Sequence, residues 1–114
     1  MKIGITARGN NLDSEVDPRF GRCEYFIIVD PDTLEFEVIE NFSMEAASGA
    51  GVQSGQLVAT KGVEAVLTGN IGPNAFQVLQ AAGIKVITGV SGKVEEAIEK
   101  YKRGEFKPVE SSNV

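Results

Sequence analysis

The residues in this sequence that are best able to bind a ligand or to react are three arginines and one cysteine. Arg8, Arg19 and Arg22 lie within the first 22 residues, and Cys23 follows directly. A thiolate beside arginines would have a lowered pKa, and it could ligate a soft metal or a metal–sulfur cluster. One thiolate supplies only part of the roughly four ligands that such clusters usually have. The alternative interpretation of Cys23 is a small buried apolar residue at the start of a strand.

Three glycine-containing turns, at 8–10, 69–73 and 89–92, could bring backbone donors to the same ligand. Glycine lets the backbone approach a ligand closely, and helix N-termini direct N–H groups outward. The alternative is that every α/β domain needs glycines after its strands. We predict that one edge of the protein binds an anionic ligand. The residues that would form this site are Arg8, Gly9, Arg19, Arg22, Cys23, Gly69, Gly72, Asn74 and Gly89. Among them, Cys23 is the candidate metal ligand.

Other motifs are weaker. The glycine run 49–55 resembles a dinucleotide-binding loop, but about eight residues separate it from the preceding strand, so helix entry and a tight helix–sheet contact are enough to explain it. The acidic group Asp13, Glu15 and Asp17 lacks the glycine and final glutamate of a calcium loop. We therefore expect it to form salt bridges with the nearby arginines. No carboxylate lies within 3–7, which argues against a magnesium-dependent nuclease.

Composition narrows the function classes further. The chain has 114 residues, 42% of them hydrophobic and 24% charged, which is typical of one globular domain. With one cysteine and no histidine, it has no internal disulfide, no Cys/His zinc site and no histidine-based catalysis. A net charge of −5 argues against sequence-independent binding of nucleic acid. No apolar run is long enough for a bilayer, and no signal peptide is evident, so we expect a cytoplasmic protein without a membrane partner.

The predicted elements place the candidate residues at one edge of a sheet. Alternating or β-branched segments predict strands at 2–7, 23–30, 35–40, 65–67 and 84–87, and helical periodicity follows within 52–61, 73–82 and 94–103. We predict an α/β fold with a mixed sheet in the order 3-2-1-4-5, strand 2 antiparallel, and helices on both faces. This arrangement resembles the ribonuclease H-like topology. Ligands of such sheets bind beyond the carboxyl ends of the parallel strands.

Several segments carry a family resemblance. They are the stretch 12–30, which contains Asp-Pro-Arg-Phe-Gly at 17–21, then 62–69, Gly-Pro-Asn-Ala-Phe at 72–76, and 82–84. Together they resemble the dinitrogenase iron–molybdenum cofactor biosynthesis family, which includes NifX and the C-terminal domain of NifB. The resemblance spans about residues 1–106, which we take as a single domain. We expect 107–114 to be a loose polar tail.

The resemblance implies a ribonuclease H-like fold without nuclease activity and a role in binding or carrying iron–sulfur or iron–molybdenum cofactor precursors. The implied ligand is an anionic metal–sulfur cluster, for which Cys23 is the candidate soft ligand, with arginines and turn amides around it. We expect a small, non-catalytic binding or carrier protein. The alternatives are a module for another anion, such as a nucleotide or phosphorylated metabolite, and a protein–protein adaptor in metallocofactor assembly that uses the acidic hairpin 30–40.

Overall fold

The computed structural model describes residues 1–42 and 49–114, in which strands and helices follow the predicted order β-β-β-α-β-α-β-α. Their bounds are β1 Lys2–Ala7, β2 Tyr25–Val29, β3 Phe36–Glu40, α1 Ala50–Ala59, β4 Val63–Leu67, α2 Pro73–Ala81, β5 Lys85–Ile87 and α3 Val94–Lys102. The flexible loop that the sequence predicts over 41–50 lies mostly at 43–48, outside the described residues. Helix α1 begins at Ala50, two residues earlier than its apolar periodicity indicates.

The strands form one sheet in the order β3-β2-β1-β4-β5. Strand β1 runs antiparallel to β2 and parallel to β4, and β4 runs parallel to β5. The predicted strand order and directions are therefore confirmed. The ribonuclease H-like assignment remains a prediction. Both crossovers in the parallel half of the sheet contain a helix, as parallel neighbours require.

Two apolar layers hold the helices against opposite faces of this sheet. Ile3, Ile5, Ile27 and Val29 pack with α3 on one face. Phe26 and Ile28 pack with α1 and α2 on the other face. Successive strand residues point to opposite faces, so the uninterrupted apolar run of β2 supplies both layers. The prediction of helices on both faces is confirmed.

Helices α1 and α2 approach each other through two glycines one helical turn apart. A Cβ atom on Gly51 would lie 3.1 Å from the Ala75 Cβ, and one on Gly55 would lie 3.1 Å from Val78 Cγ1. Gly49 precedes the helix with a φ of 76°, as expected for helix entry through a glycine. The predicted helix–sheet contact is wrong, because these glycines serve a helix–helix contact. The N-termini of α1 and α2 consequently lie side by side.

The C-terminal segment 107–114 is attached to the domain, in contrast to the loose tail predicted from its polarity. The Val109 N–H donates to the Val86 carbonyl at 2.8 Å, on the outer edge of β5. The Asn113 N–H donates to the Ile71 carbonyl at 3.3 Å. Val109 also packs against the apolar layer that contains α1 and α2. One apolar side chain and the unpaired edge of β5 are enough to order a segment whose composition indicates a loop.

Candidate functional site

The loop 9–22 covers the sheet edge at which the sequence predicts an open ligand site. Val16 pairs with Ala7 at the end of β1, and its N–H donates to the Gly92 carbonyl at 2.8 Å. The Val94 N–H, at the start of α3, donates to the Ser14 carbonyl at 2.8 Å. Backbone groups of the loop therefore occupy the hydrogen-bonding positions at the C-terminal end of β1 and at the N-terminus of α3 that a ligand would use. The predicted site residues Arg8, Gly9 and Gly89 lie along this covered edge, and the Gly89 N–H donates to the Gly69 carbonyl at 2.9 Å.

The same loop also packs against the end of β4. The Asn70 N–H donates to the Pro18 carbonyl at 2.6 Å, and the Phe20 N–H donates to the Asn70 carbonyl at 3.0 Å. A Cβ atom on Gly69 would lie 2.6 Å from the Pro18 Cα. Glycine is required at 69 because the loop backbone lies directly on it. The geometry thus explains Gly69 by packing and gives it no surface for a ligand.

Asp17 fixes the middle of this loop. Its side chain is 2% exposed and accepts hydrogen bonds from the Arg19 backbone N–H at 2.9 Å and from the Arg19 guanidinium at 3.2 Å through each carboxylate oxygen. These hydrogen bonds raise the pKa of Arg19. The predicted acid–arginine pairing is confirmed for Asp17. For Asp13 it is wrong, because this carboxylate forms a salt bridge with Lys93 at 2.9 Å.

A surface cleft of about 260 Å³, which we call the α1–α2 cleft, opens where these two helices begin. It is lined by three short segments, 20–22 from the first loop, 49–52 from α1 and 72–75 from α2. Arg22, Gly72 and Asn74 are the sequence-predicted site residues that line it. The fold therefore brings three of the nine predicted residues together, and it adds the start of α1, which the sequence prediction left out.

The α1–α2 cleft lies at the N-termini of two helices whose N-cap residues provide no side-chain cap. The N-cap residues of α1 and α2 are Gly49 and Gly72, which have no side chain to accept from the first N–H groups. The first intrahelical bonds run from the Gln53 N–H to the Gly49 carbonyl at 2.9 Å and from the Phe76 N–H to the Gly72 carbonyl at 3.0 Å. Neither first turn contains an acidic residue. Two positive helix ends and the Arg22 guanidinium thus make this surface suited to an anion.

Cys23 lies behind the wall of the cleft and is fully buried beside Phe20 and Phe26. Burial and, to a smaller extent, the charge of Asp17 raise the pKa of its thiol to about 12, although hydrogen bonds from neighbouring groups oppose the shift. The lowered pKa predicted from the adjacent arginines is therefore wrong, because burial disfavours the charged thiolate more than the neighbouring hydrogen bonds favour it. The geometry matches the alternative interpretation, a small buried residue. A metal-ligand role for Cys23 stays a prediction.

Sequence reasoning missed Asn41, which holds the cleft wall in place. Its side-chain amide is buried and donates to the carbonyls of Gly21 at 3.0 Å and Cys23 at 2.8 Å. Its carbonyl oxygen accepts from the Ser54 hydroxyl of α1 at 3.2 Å. Asn41 thereby joins the first loop to α1. A polar residue directly after strand β3 and a serine on the inner face of α1 are the only sequence signals of this link.

The buried thiol gives an alkaline stability prediction. The folded-state pKa of Cys23 is about 12 against an ordinary value of 9.0, so its contribution to stability is present below pH 9 and is lost as the pH rises toward 12. Between pH 8 and 10, the free energy of unfolding of the wild type should fall by about 1.4 kcal/mol more than that of Cys23→Ala. Urea unfolding of both proteins measures this. Parallel pH curves would contradict it.

Residues 1–104 match the family model described as dinitrogenase iron-molybdenum cofactor. The chain belongs to this family. The family resemblance predicted from the sequence is confirmed. The orange protein of Desulfovibrio gigas, solved in its apo form, is 40% identical and superimposes with a TM-score of 0.95, over 99% of this chain and 96% of that chain.

Two further proteins are also similar to this chain over nearly their whole length. A Thermotoga protein described as a NifB protein is 38% identical, with a TM-score of 0.85 over 99% of this chain and 97% of that chain. The Methanocaldococcus jannaschii protein MJ0580 is 35% identical over 113 residues, which are 96% of this chain and 92% of that protein.

Within residues 1–42 and 49–114, three or more histidine, cysteine, aspartate or glutamate side chains nowhere converge in a way that could hold a metal ion. No helix in these same ranges is both long and apolar enough to cross a bilayer.

Proposed function

We propose that this member of the dinitrogenase iron–molybdenum cofactor family binds and carries an anionic metal–sulfur cofactor, of the iron–sulfur or iron–molybdenum type, in the α1–α2 cleft. The observation that carries the proposal is the convergence of two glycine-capped helix N-termini and Arg22 on one surface cleft. The role is one of binding without catalysis. The ligand is cargo, an inorganic metal–sulfide cluster that keeps its own ligands while it is bound.

Hydrogen bonds and charge hold this cargo, and a covalent protein–metal bond does not. Sulfide ligands on the surface of a cluster accept hydrogen bonds from the N–H groups of Gly51 and Asn74 and from the Arg22 guanidinium. A positively charged, glycine-lined surface stabilises an anion without replacing its own ligands. Cys23 stays a neutral thiol in the core, because its burial raises its pKa to about 12.

The comparisons support this proposal in two ways. The family is described by an iron–molybdenum cofactor, and one relative in the same fold is described as a NifB protein. The structure of the orange protein is described as an apo form, a term for a protein from which a ligand is absent. A shared fold at 40% identity favours a ligand-binding role for this chain as well.

Anaerobic incubation with ferrous iron, sulfide and molybdate, followed by gel filtration and metal analysis, tests the proposal. We expect the wild type to retain metal and sulfide with visible absorption, and Arg22→Gln to retain at least about tenfold less. Cys23→Ser should retain as much as the wild type. Arg103→Gln is the matched control, because it removes the same charge from a residue that pairs with Glu105 away from the cleft.

Other outcomes distinguish the alternatives. Loss of uptake in Cys23→Ser but not in Arg22→Gln would replace the proposal with a thiolate-ligated cluster. Loss of metal uptake in Arg8→Gln alone would instead support the ligand site that the sequence predicts at the edge of the sheet. If the wild type retains no metal yet is stabilised in a thermal-shift assay by inorganic phosphate or a nucleotide, the cleft binds a different anion.

A further inference from the structure

The turn between β4 and α2 determines where the second helix of the α1–α2 cleft begins. It consists of residues 68–72, and the next three residues line the cleft. Pro73 has no N–H, so the first donors of α2 belong to Asn74 and Ala75. Their direction depends on how firmly the preceding turn is held.

Asn113, near the end of the chain, makes four hydrogen bonds to this turn. Its side-chain oxygen accepts from the Ile71 N–H at 2.8 Å, and its side-chain amide donates to the Gly69 carbonyl and to Asn70 Oδ1, each at 3.1 Å. Its own N–H donates to the Ile71 carbonyl at 3.3 Å. One exposed asparagine thus satisfies donors and acceptors of three consecutive turn residues.

We infer that Asn113 is a positioning residue for the anion site, in that it fastens the β4–α2 turn so that the α2 N–H groups point into the cleft. This inference rests on the proposed function. Preorganised donors bind more tightly than mobile ones, because less conformational freedom is lost on binding. Ile71 is 1% exposed and packs in the same apolar layer as Cys23, so the core holds the turn from inside while Asn113 holds it from outside.

The fastening segment lies beyond the part of the chain that defines the family. The family model ends at residue 104, whereas Val109 and Asn113 make the contacts. Val109 contributes a second attachment, its N–H donating to the Val86 carbonyl at 2.8 Å. The segment therefore lies outside the residues matched by the family model but within the 99% of this chain that superimposes on the orange protein, and it ends beside the candidate site.

Hydrogen exchange on full-length Asn113→Ala tests the inference without requiring a ligand. The Phe76 N–H is the first hydrogen-bonded amide of α2, and the Gln53 N–H holds the same place in α1. We expect exchange at Phe76 to become about tenfold faster while exchange at Gln53 stays unchanged. Asn113→Asp, which keeps the acceptor for Ile71 but loses the side-chain donors, should give an intermediate rate. Glu110→Ala, an exposed change in the same segment, should match the wild type.

A parallel binding measurement connects this positioning to the cargo. With ferrous iron, sulfide and molybdate, we expect Asn113→Ala to retain about threefold to tenfold less metal than Glu110→Ala. Equal acceleration at Phe76 and Gln53 would show a general loss of stability and overturn the inference, as would unchanged exchange at Phe76. Failure of every variant and of the wild type to retain metal would overturn the proposed function instead, and the exchange rates would still decide the role of Asn113.

Discussion

Gly69→Ala is expected to lower the free energy of unfolding by about 3 kcal/mol, the upper part of the range for overpacked sites. The new Cβ would lie 2.6 Å from the Pro18 Cα and 2.8 Å from its carbonyl oxygen, so backbone atoms must move. Such movement breaks the hydrogen bond from the Asn70 N–H to Pro18, which is 2.6 Å long. Urea unfolding at neutral pH measures the change.

Gly72→Ala is the matched control for this substitution. It lies three residues further along the same turn, and its nearest neighbour would be Val114 Cγ2 at 3.9 Å. Its φ of −80° suits alanine, so the loss should stay below about 1 kcal/mol, mostly from the poorer N-cap. Equal losses of unfolding free energy in both variants would show that the first loop does not pack tightly against Gly69. A ligand-binding role for Gly69 would then regain support.

Asn41→Leu should have an effect of similar size, with a different cause. The substitution keeps the volume but leaves the carbonyls of Gly21 and Cys23 and the hydroxyl of Ser54 without the partner that they have now. Unsatisfied buried groups cost about 1–3 kcal/mol each, and partial relaxation reduces the sum, so we expect a loss of about 3 kcal/mol. Thermal and urea unfolding both report it.

Ser54→Ala separates the two halves of this network. It removes only the hydroxyl that donates to Asn41, so its loss should be about 1 kcal/mol. The double variant should cost less than the sum of the single variants, because the shared hydrogen bond can be lost only once. Strict additivity would show that Asn41 stabilises the first loop and α1 independently.

The sheet could be predicted because its signals lie in the side chains of single segments. The apolar run of β2 indicates a strand buried on both faces, and Pro73 and Gly83 delimit a helix. The handedness of crossovers then leaves few arrangements for β1, β4 and β5. These rules need no knowledge of contacts between distant residues, and they placed every strand in its observed order.

The site could be predicted only in part, because backbone contacts decide it. Pro18 and Asn70 bind through their main chains, which leave no pattern in side-chain types. The direction of the Cys23 pKa shift depends on burial in a layer whose other members include residues far away in sequence, such as Val58 and Leu79, whereas the sequence shows only the adjacent arginines. Gly72 and Asn74 were found because a helix N-terminus has recognisable residues, and Arg22 was found because the start of the antiparallel strand β2 lies where β1 ends. Asn113 carries no such signal.

The β4–α2 turn is bonded both to the first loop and to the C-terminal segment. These contacts determine at what stage of synthesis and folding the cleft is complete. Asn70 is bonded to Pro18 on one side and to Asn113 on the other. Both contacts close long loops, whose closure costs entropy before any contact can stabilise it. A nascent chain shorter than 113 residues lacks the Asn113 contact and keeps the contact with Pro18. Cargo binding would then become tighter once translation has passed Asn113.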